Sequence, residues 1–315
     1  MKGEFEFIDS IRRLFPVPEG FTGIGDDCAV IPQDDAYETL VSTDMLVEGT
    51  HFLINDITPY QLGWKSAASN FSDIAAMGGT ATGCFLALAV PYDVTDLWAD
   101  EFLRGFRDIS EQYGFPLLGG DTTSSPDRVC ICITVVGKAL KGRSIKRSGA
   151  RPGDLVCVTG NLGDSAAGLD AILSKLPRTG EIPYLIDKHY IPRPRMEEGK
   201  VLVNSTGVHS MIDISDGIGS DLRHIIGESG RGAEIDMDKI PVSNQLRTYC
   251  RNNGKDIYRF AISGGEDYEL LFTVAPEWEP SLSVRHCVIG RITDTSILQW
   301  NGSDRDYSGY RHFRR

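Results

Sequence analysis

Seven aspartates hold most of the chemistry that the sequence offers. Asp26, Asp27, Asp44, Asp73, Asp121, Asp213 and Asp216 fall at strand ends, in glycine turns or on a stripe of small polar residues. One context recurs among them: "GIGDD", "GGDT" and "ISDG". Aspartate is a short, hard oxygen ligand of the kind Mg²⁺ takes, alongside waters and substrate phosphates. Asp26 and Asp27 stand side by side before an apolar run. Two carboxylates 4 Å apart repel by about 1 kcal/mol in water and several times that in a drier site, so a positive charge is expected there. Aspartate is also a common turn residue and helix cap, which is the ordinary reading of any one of them. The same setting in separate segments favours convergence on shared cations.

Phosphate is the natural companion of such cations. The chain has no P-loop and no Gly-x-Gly-x-x-Gly after a strand. "TGNLGDSAAG" sets glycines between a strand and a helix start, where amides hold anions or simply allow close packing. Lys146, Arg147 and Arg151 are within reach of nucleotide phosphates or belong to a solvated connector. Gly-x-Ser-x-Gly is absent, and none of the six histidines has zinc-ligand spacing. His51, in "EGTHF", is the histidine placed near the acids.

The elements that must position these residues are partly legible. "ETLVSTDMLVEGTHF" opens as a strand ending near Asp44, with Ser42 and Asp44 on one face and Val41 and Thr43 on the other. Trp64, Ala67, Ala68, Phe71, Ile74 and Ala75 repeat at helical spacing. Ser66, Ser69, Asn70 and Asp73 make a second stripe, short and polar, that suits an interior site rather than solvent. "CFLALAVP" is a strand, and Thr95 or Asp96 caps the next helix. "FPLLGGDTTSS" reads as a short strand and a glycine turn delivering Asp121, and "DRVCICITVVGKA" as a long strand. Without regular βαβ alternation, the fold class is α+β. The basic, Gly-rich stretch at 141–149 divides residues 1–140 from 150–315. Beyond it, strands at "DLVCVTG", "VHSMIDIS", "ISGGEDYELLFTV" and "HCVIGRI" alternate with helices at "NLGDSAAGLDAIL" and "DGIGSDLRHIIGESG".

The 315 residues allow two domains, and the formal charge of −12 argues against a broad phosphate-reading surface for nucleic acid. Seven cysteines, an odd count without Cys-x-x-Cys, read as reduced thiols in a cytoplasmic protein. No signal peptide and no apolar run of about 20 residues is present.

Together, "GEFEFI", "GIGDDCAV", "STDMLVEGTHF", "SNFSDIAAMGG", "LLGGDTT", "KRSGARPGD", "VTGNLGDSAAGL", "IDISDGIGSDL", "SGGEDYELLF" and "GYRHF" resemble the thiamine-monophosphate kinase family. That family sits in the superfamily of aminoimidazole ribonucleotide synthetase, selenophosphate synthetase and a hydrogenase-maturation factor. The resemblance covers nearly the whole chain. It implies a kinase of thiamine biosynthesis that transfers the γ-phosphoryl of ATP to thiamine monophosphate, giving thiamine diphosphate. It also implies a homodimer. The amino-terminal domain contributes strands to a barrel across the interface, and the carboxy-terminal domain, a sheet flanked by helices, closes the cleft.

By the same resemblance, Asp27, Ser42, Thr43, Asp44, Asp73, Asp121, Asp213 and Asp216 match residues that hold several Mg²⁺ ions. Gly120, Asp121, Arg147 and Ser215 match nucleotide contacts. His51, Glu266 and Tyr310 match contacts to thiamine monophosphate, with Asp26 a neighbour supporting the metal ligands. Glu266 is expected to face the cationic thiazolium or to hydrogen-bond the aminopyrimidine, and Tyr310 to stack on a ring. The family can show a nucleotide-contacting Tyr in the helix before "LLGG", where this chain reads "EFLRGFRD" with Leu103 and Phe106. The nucleophile is already an anionic phosphate oxygen, so direct transfer without a phosphoenzyme is expected, with metals bridging the two anions. The rival readings are a sibling ATP-dependent enzyme with another acceptor, and a non-catalytic nucleotide-binding homologue.

Overall fold

The computed structural model of the chain describes residues 4–303, 305 and 307–310. The last three residues of "GYRHF" therefore lie outside the described residues. Two sheets organise the molecule. The first contains β1 (Ala29–Pro32), β2 (Tyr37–Val47), β3 (Thr80–Val90), β4 (Leu117–Ser124) and β5 (Cys130–Leu140), in the order β1-β2-β5-β3-β4. Only β3 and β4 run parallel. The second contains β6 (Leu155–Thr159), β7 (Val208–Asp213), β8 (Gly232–Asp236), β9 (Leu270–Val274), β10 (His286–Thr293) and β11 (Leu298–Asn301), in the order β11-β8-β10-β6-β9-β7. The helices are α1 (Glu4–Leu14), α2 (Pro59–Ala76), α3 (Asp96–Tyr113), α4 (Asp164–Leu173), α5 (Ile182–Tyr190), α6 (Met196–Val203), α7 (Ile218–Ser229), α8 (Asn244–Asn253) and α9 (Ile257–Ser263). This is the expected mixed architecture, with α1, α5, α6, α8 and α9 beyond the helices named above. Among the described residues no helix is long and apolar enough to cross a membrane.

The central element is α2. Its start is fixed by a capping box between Thr58 and Gln61 and by Pro59 in the first turn. It is buried nearly all round, so it has no solvated face. One side covers the first sheet through Ala67, Phe71 and Ile74, against Leu40, Ile133 and Val135. On another side α3 crosses at two reciprocal glycines. A Cβ on Gly63 would lie 2.0 Å from the Phe102 carbonyl oxygen, and one on Gly105 1.9 Å from that of Tyr60. The far side reaches the second half of the chain. Trp64 Nε1 donates to the Pro192 carbonyl at 2.8 Å, and α5, α6 and β7 all pack on this helix. The small polar stripe is thus interior, as its residue types suggested. Ser66, Ser69 and Asn70 are all buried.

One local expectation is corrected. Gly119 and Gly120 do not form a turn before Asp121; they lie inside β4. A Cβ on Gly120 would sit 1.8 Å from the Leu86 carbonyl oxygen, so the missing side chain lets β4 lie against β3.

Candidate active site

Three elements bring acids to one point. Asp27 follows the Gly25 turn, Asp73 sits in the last turn of α2, and Asp213 ends β7. Each offers a carboxylate oxygen within 4.8 Å of the other two. Asp27 and Asp213 are buried and Asp73 is half-buried. Burial drives all three carboxyls above their ordinary range, with neighbouring carboxylates adding to it; Asp213 is pushed up to about 8. Asp27 Oδ2 is buried and makes no hydrogen bond among the described residues. An orphaned oxygen in a knot of like charges fits a hard divalent cation, which supplies the missing counter-charge. Ser42 Oγ donates to Asp73 Oδ2, and the Asp44 amide donates to Asn70 Oδ1 at 3.2 Å. Ser42, Asp44, Asp73 and the interior stripe therefore share one side of the first sheet.

The adjacent acids at the start have separate tasks. Asp26 Oδ1 accepts the backbone N–H of Arg147 at 2.7 Å. Asp27 Oδ1 accepts from the guanidinium of the same arginine, through Nε at 3.1 Å and Nη2 at 2.5 Å. Around Lys146 and Arg147 the linker is consequently held to the protein, whereas Lys141, Arg143 and Arg151 are exposed. Lys146 Nζ donates to Thr22 Oγ1 at 2.7 Å, and the Lys146 carbonyl accepts from the amide of Met211 in β7.

Beside the acids lies a cavity of about 540 Å³, large enough for a small organic ligand. Asp44, His51, Ser215, Asp216, Glu266 and Tyr310 all line it. His51 Nδ1 accepts from the Val47 amide at 2.9 Å. The Tyr310 amide donates to the Asp216 carbonyl at 3.0 Å, which brings the tail to the rim. The "ISDG" and "SGGED" loops interlock through glycine. A Cβ on Gly265 would fall 2.3 Å from the Ser215 carbonyl oxygen, and one on Gly217 2.6 Å from that of Gly264.

Thr43 and Asp121 stand apart from the acid cluster. The Thr43 hydroxyl faces the opposite side of the sheet, 3.0 Å from that of Thr134. The row Asp44, Ile133, Leu86, Gly120 runs across three strand spacings, about 14 Å in all. Asp121 sits on this edge strand, where its Oδ1 accepts the Thr122 amide at 2.9 Å. A second cavity, about 760 Å³, runs along α3 to β4 past Leu103, Phe106, Arg107 and Leu117.

Three charged or ionisable residues escaped the sequence reading. Lys65 is fully buried in α2 and pairs with Glu266 at 3.0 Å. His189 in α5 lies 3.2 Å from the same lysine. Asp221 in α7 is buried and accepts the Asp216 amide at 3.3 Å. Lys65 did carry a signal, because Lys65, Ser69 and Asp73 repeat at i+4 along the polar stripe. His189, in "DKHY", carried none.

Known proteins share this fold. Residues 25–139 match the AIR synthase related protein, N-terminal domain, and residues 151–300 the corresponding C-terminal domain. The thiamine-monophosphate kinase of Salmonella typhimurium is 43% identical over 255 residues, covering 80% of this chain and 76% of that one. The enzyme of that name from Escherichia coli K12 is 40% identical over 306 residues, covering 92% and 91%. The solved structure of AaThiL complexed with AMPPCP and TMP superposes with a TM-score of 0.90 at 34% identity, over 99% of this chain and 97% of that one. With two matched domains and relatives similar along most of its length, the chain belongs to the thiamine-monophosphate kinase family of AIR synthase related proteins.

Proposed function

We propose that this chain phosphorylates thiamine monophosphate at the expense of ATP, forming thiamine diphosphate by direct in-line transfer. The single observation that carries the reading is that Asp44, whose charge acts on Asp73 of the Asp27–Asp73–Asp213 cluster, also lines the 540 Å³ cavity. An anion-handling site and a small-molecule site meet there. Asp27, Asp44, Asp73, Asp213 and Asp216, with the Ser42 hydroxyl beside them, would hold Mg²⁺. Bound there, Mg²⁺ would neutralise phosphate charge and lower the barrier between two anions. Arg147 supplies a fixed guanidinium beside Asp27 for a phosphate oxygen. Ser215 and Asp216 stand on the shared wall between the two regions. His51, Glu266 and Tyr310 line the cavity and would hold the acceptor's rings. The apolar wall of Leu103, Phe106 and Leu117 suits a purine base, and its cavity ends at the strand bearing Gly120 and Asp121. No side chain is required as nucleophile, because the acceptor phosphate brings its own oxygen.

The domain division at 1–140 and 150–315, with 141–149 as the linker, is part of this reading. So is the homodimer. The open face of the first sheet leaves Met45 and Phe85 at 58% and 41% exposed, and a second copy would cover it. Thr43 and Asp121 lie on that side, so their part in metal binding belongs with the assembled dimer.

A coupled assay of ADP release tests the reading. Turnover is expected only with ATP, thiamine monophosphate and Mg²⁺ together. Asp73→Asn should lower kcat by about 10²-fold or more, since carboxylate–metal contacts act mainly on the transition state. ATP hydrolysis indifferent to the acceptor, or a normal rate in Asp73→Asn, overturns it.

A further inference from the structure

Lys65 has no part in the transfer described above, yet it is fully buried in the middle of α2. Its Nζ donates to Glu266 Oε2 at 3.0 Å and lies 3.2 Å from His189 Nε2. Lysine has donors only, so Nε2 must accept. The ring is neutral, because burial and the lysine push its pKa down to about 3. Nδ1 therefore carries the proton. It lies 3.0 Å from Ser165 Oγ and 3.3 Å from Glu266 Oε2. Lys65 thus donates to one oxygen of Glu266, and His189, hydrogen-bonded to both Lys65 and Ser165, stands against that same oxygen. Among the described residues the other oxygen, Oε1, makes no hydrogen bond, and Glu266 lines the 540 Å³ cavity.

The backbone is committed to the same end. Glu266 has φ +62° and Tyr268 φ +50°, left-handed conformations that residues with side chains rarely adopt. The Glu266 amide donates to the Ser215 carbonyl at 2.7 Å and the Tyr268 amide to that of Ile214 at 2.9 Å, which holds the turn. A buried lysine, a neutral histidine and a strained turn together fix one carboxylate oxygen at the cavity wall. Burial alone would raise the Glu266 carboxyl; the charge and hydrogen bond of Lys65 oppose it, and the carboxyl is held below its ordinary value. An ionised carboxylate only accepts, whereas a protonated one also donates.

We propose that Lys65 and His189 are positioning residues that lock Glu266 as an acceptor-only oxygen. The cavity then selects a ring carrying a hydrogen-bond donor and rejects the same ring with a carbonyl oxygen in its place. This rests on the reading that Glu266 faces the phosphate acceptor. A site built to accept from a substrate N–H discriminates strongly, because the mismatched analogue leaves two acceptors opposed and Oε1 without a donor.

The test compares thiamine monophosphate with its analogue whose exocyclic amine is replaced by a carbonyl oxygen. Wild type should prefer the amine by at least about 10²-fold in kcat/KM. In Lys65→Met that ratio should fall by about tenfold or more. KM for thiamine monophosphate should rise by a similar factor, with KM for ATP within about twofold. His189→Phe removes the Nε2 acceptor that steadies Lys65, together with the Nδ1–H beside Glu266, but keeps the Lys65–Glu266 pair, and should act in the same direction to a smaller extent; it carries the test if Lys65→Met fails to fold. A wild-type enzyme indifferent to the two rings overturns the proposal. So does a folded variant that keeps the wild-type ratio, or one that weakens ATP and acceptor equally. If wild type turns over neither compound, the proposed reaction has failed instead. Calorimetric binding of the same two compounds to the same proteins then decides the selection on its own.

Discussion

At the residue scale, the site is defined by ionisable groups held away from their usual state. His189 is the clearest case. Its folded pKa, about 3, lies below the unfolded value, so the native state resists protonation. The stability it contributes is complete above about pH 6.5 and is lost as pH falls toward the folded value. Lys65 from α2, Glu266 from the loop before β9 and Ser165 from α4 are the groups that face it. At pH 5 the loss should be on the order of 1–2 kcal/mol. Denaturant unfolding at pH 7.5 and pH 5 checks this, because His189→Gln should lose less stability than wild type between those conditions. An equal loss in both proteins rules out the histidine as the source. The acids were legible in sequence because aspartate beside glycine at strand ends is an unusual recurrence. Lys65 had only its i+4 spacing with Ser69 and Asp73 to mark it, which the ordinary solvated reading of a lone helix lysine outweighs. His189 had no mark at all, because its place beside Lys65 follows from where α5 lies in space.

At the scale of elements, α2 and α3 are held together by absence of side chains. The Gly63 and Gly105 contacts to opposing carbonyls leave no room for a methyl group. Gly63→Ala raises helix propensity, yet it should destabilise the protein by about 1–3 kcal/mol through overpacking. Thermal unfolding would show it as a lowered Tm. An unchanged or raised Tm means that the helices can part without loss. The helix itself was readable from its apolar period, and its interior polar stripe from residue size. The role of Gly119 and Gly120 was not. Glycine marks turns and close approaches alike, and only the Leu86 carbonyl opposite Gly120 separates the two.

At the scale of the whole molecule, the first sheet has one face packed on α2 and another that leaves Met45 and Phe85 exposed. Phe85→Glu should shift the proposed dimer toward monomer, as read by analytical ultracentrifugation, with little change in the fold by circular dichroism. A chain that stays dimeric after that change uses a different face. Alternation in β2 revealed which side of the strand carries Ser42 and Asp44, but not what covers the other. Pattern within one strand says nothing of a neighbour supplied by another element or another copy.

The polar stripe of α2 also acts as a measuring rod. Lys65 and Asp73 are two turns apart, a rise of about 12 Å, and they address the cavity-lining carboxylate of Glu266 and the acid knot respectively. One rigid helix thus sets both the spacing and the relative angle of the Glu266 contact and the acid knot. A single inserted residue between them would swing one end by about 100° while leaving the other in place. The length of this segment is therefore fixed by the distance between the cavity and the acid knot, whereas surface loops are free to grow or shrink.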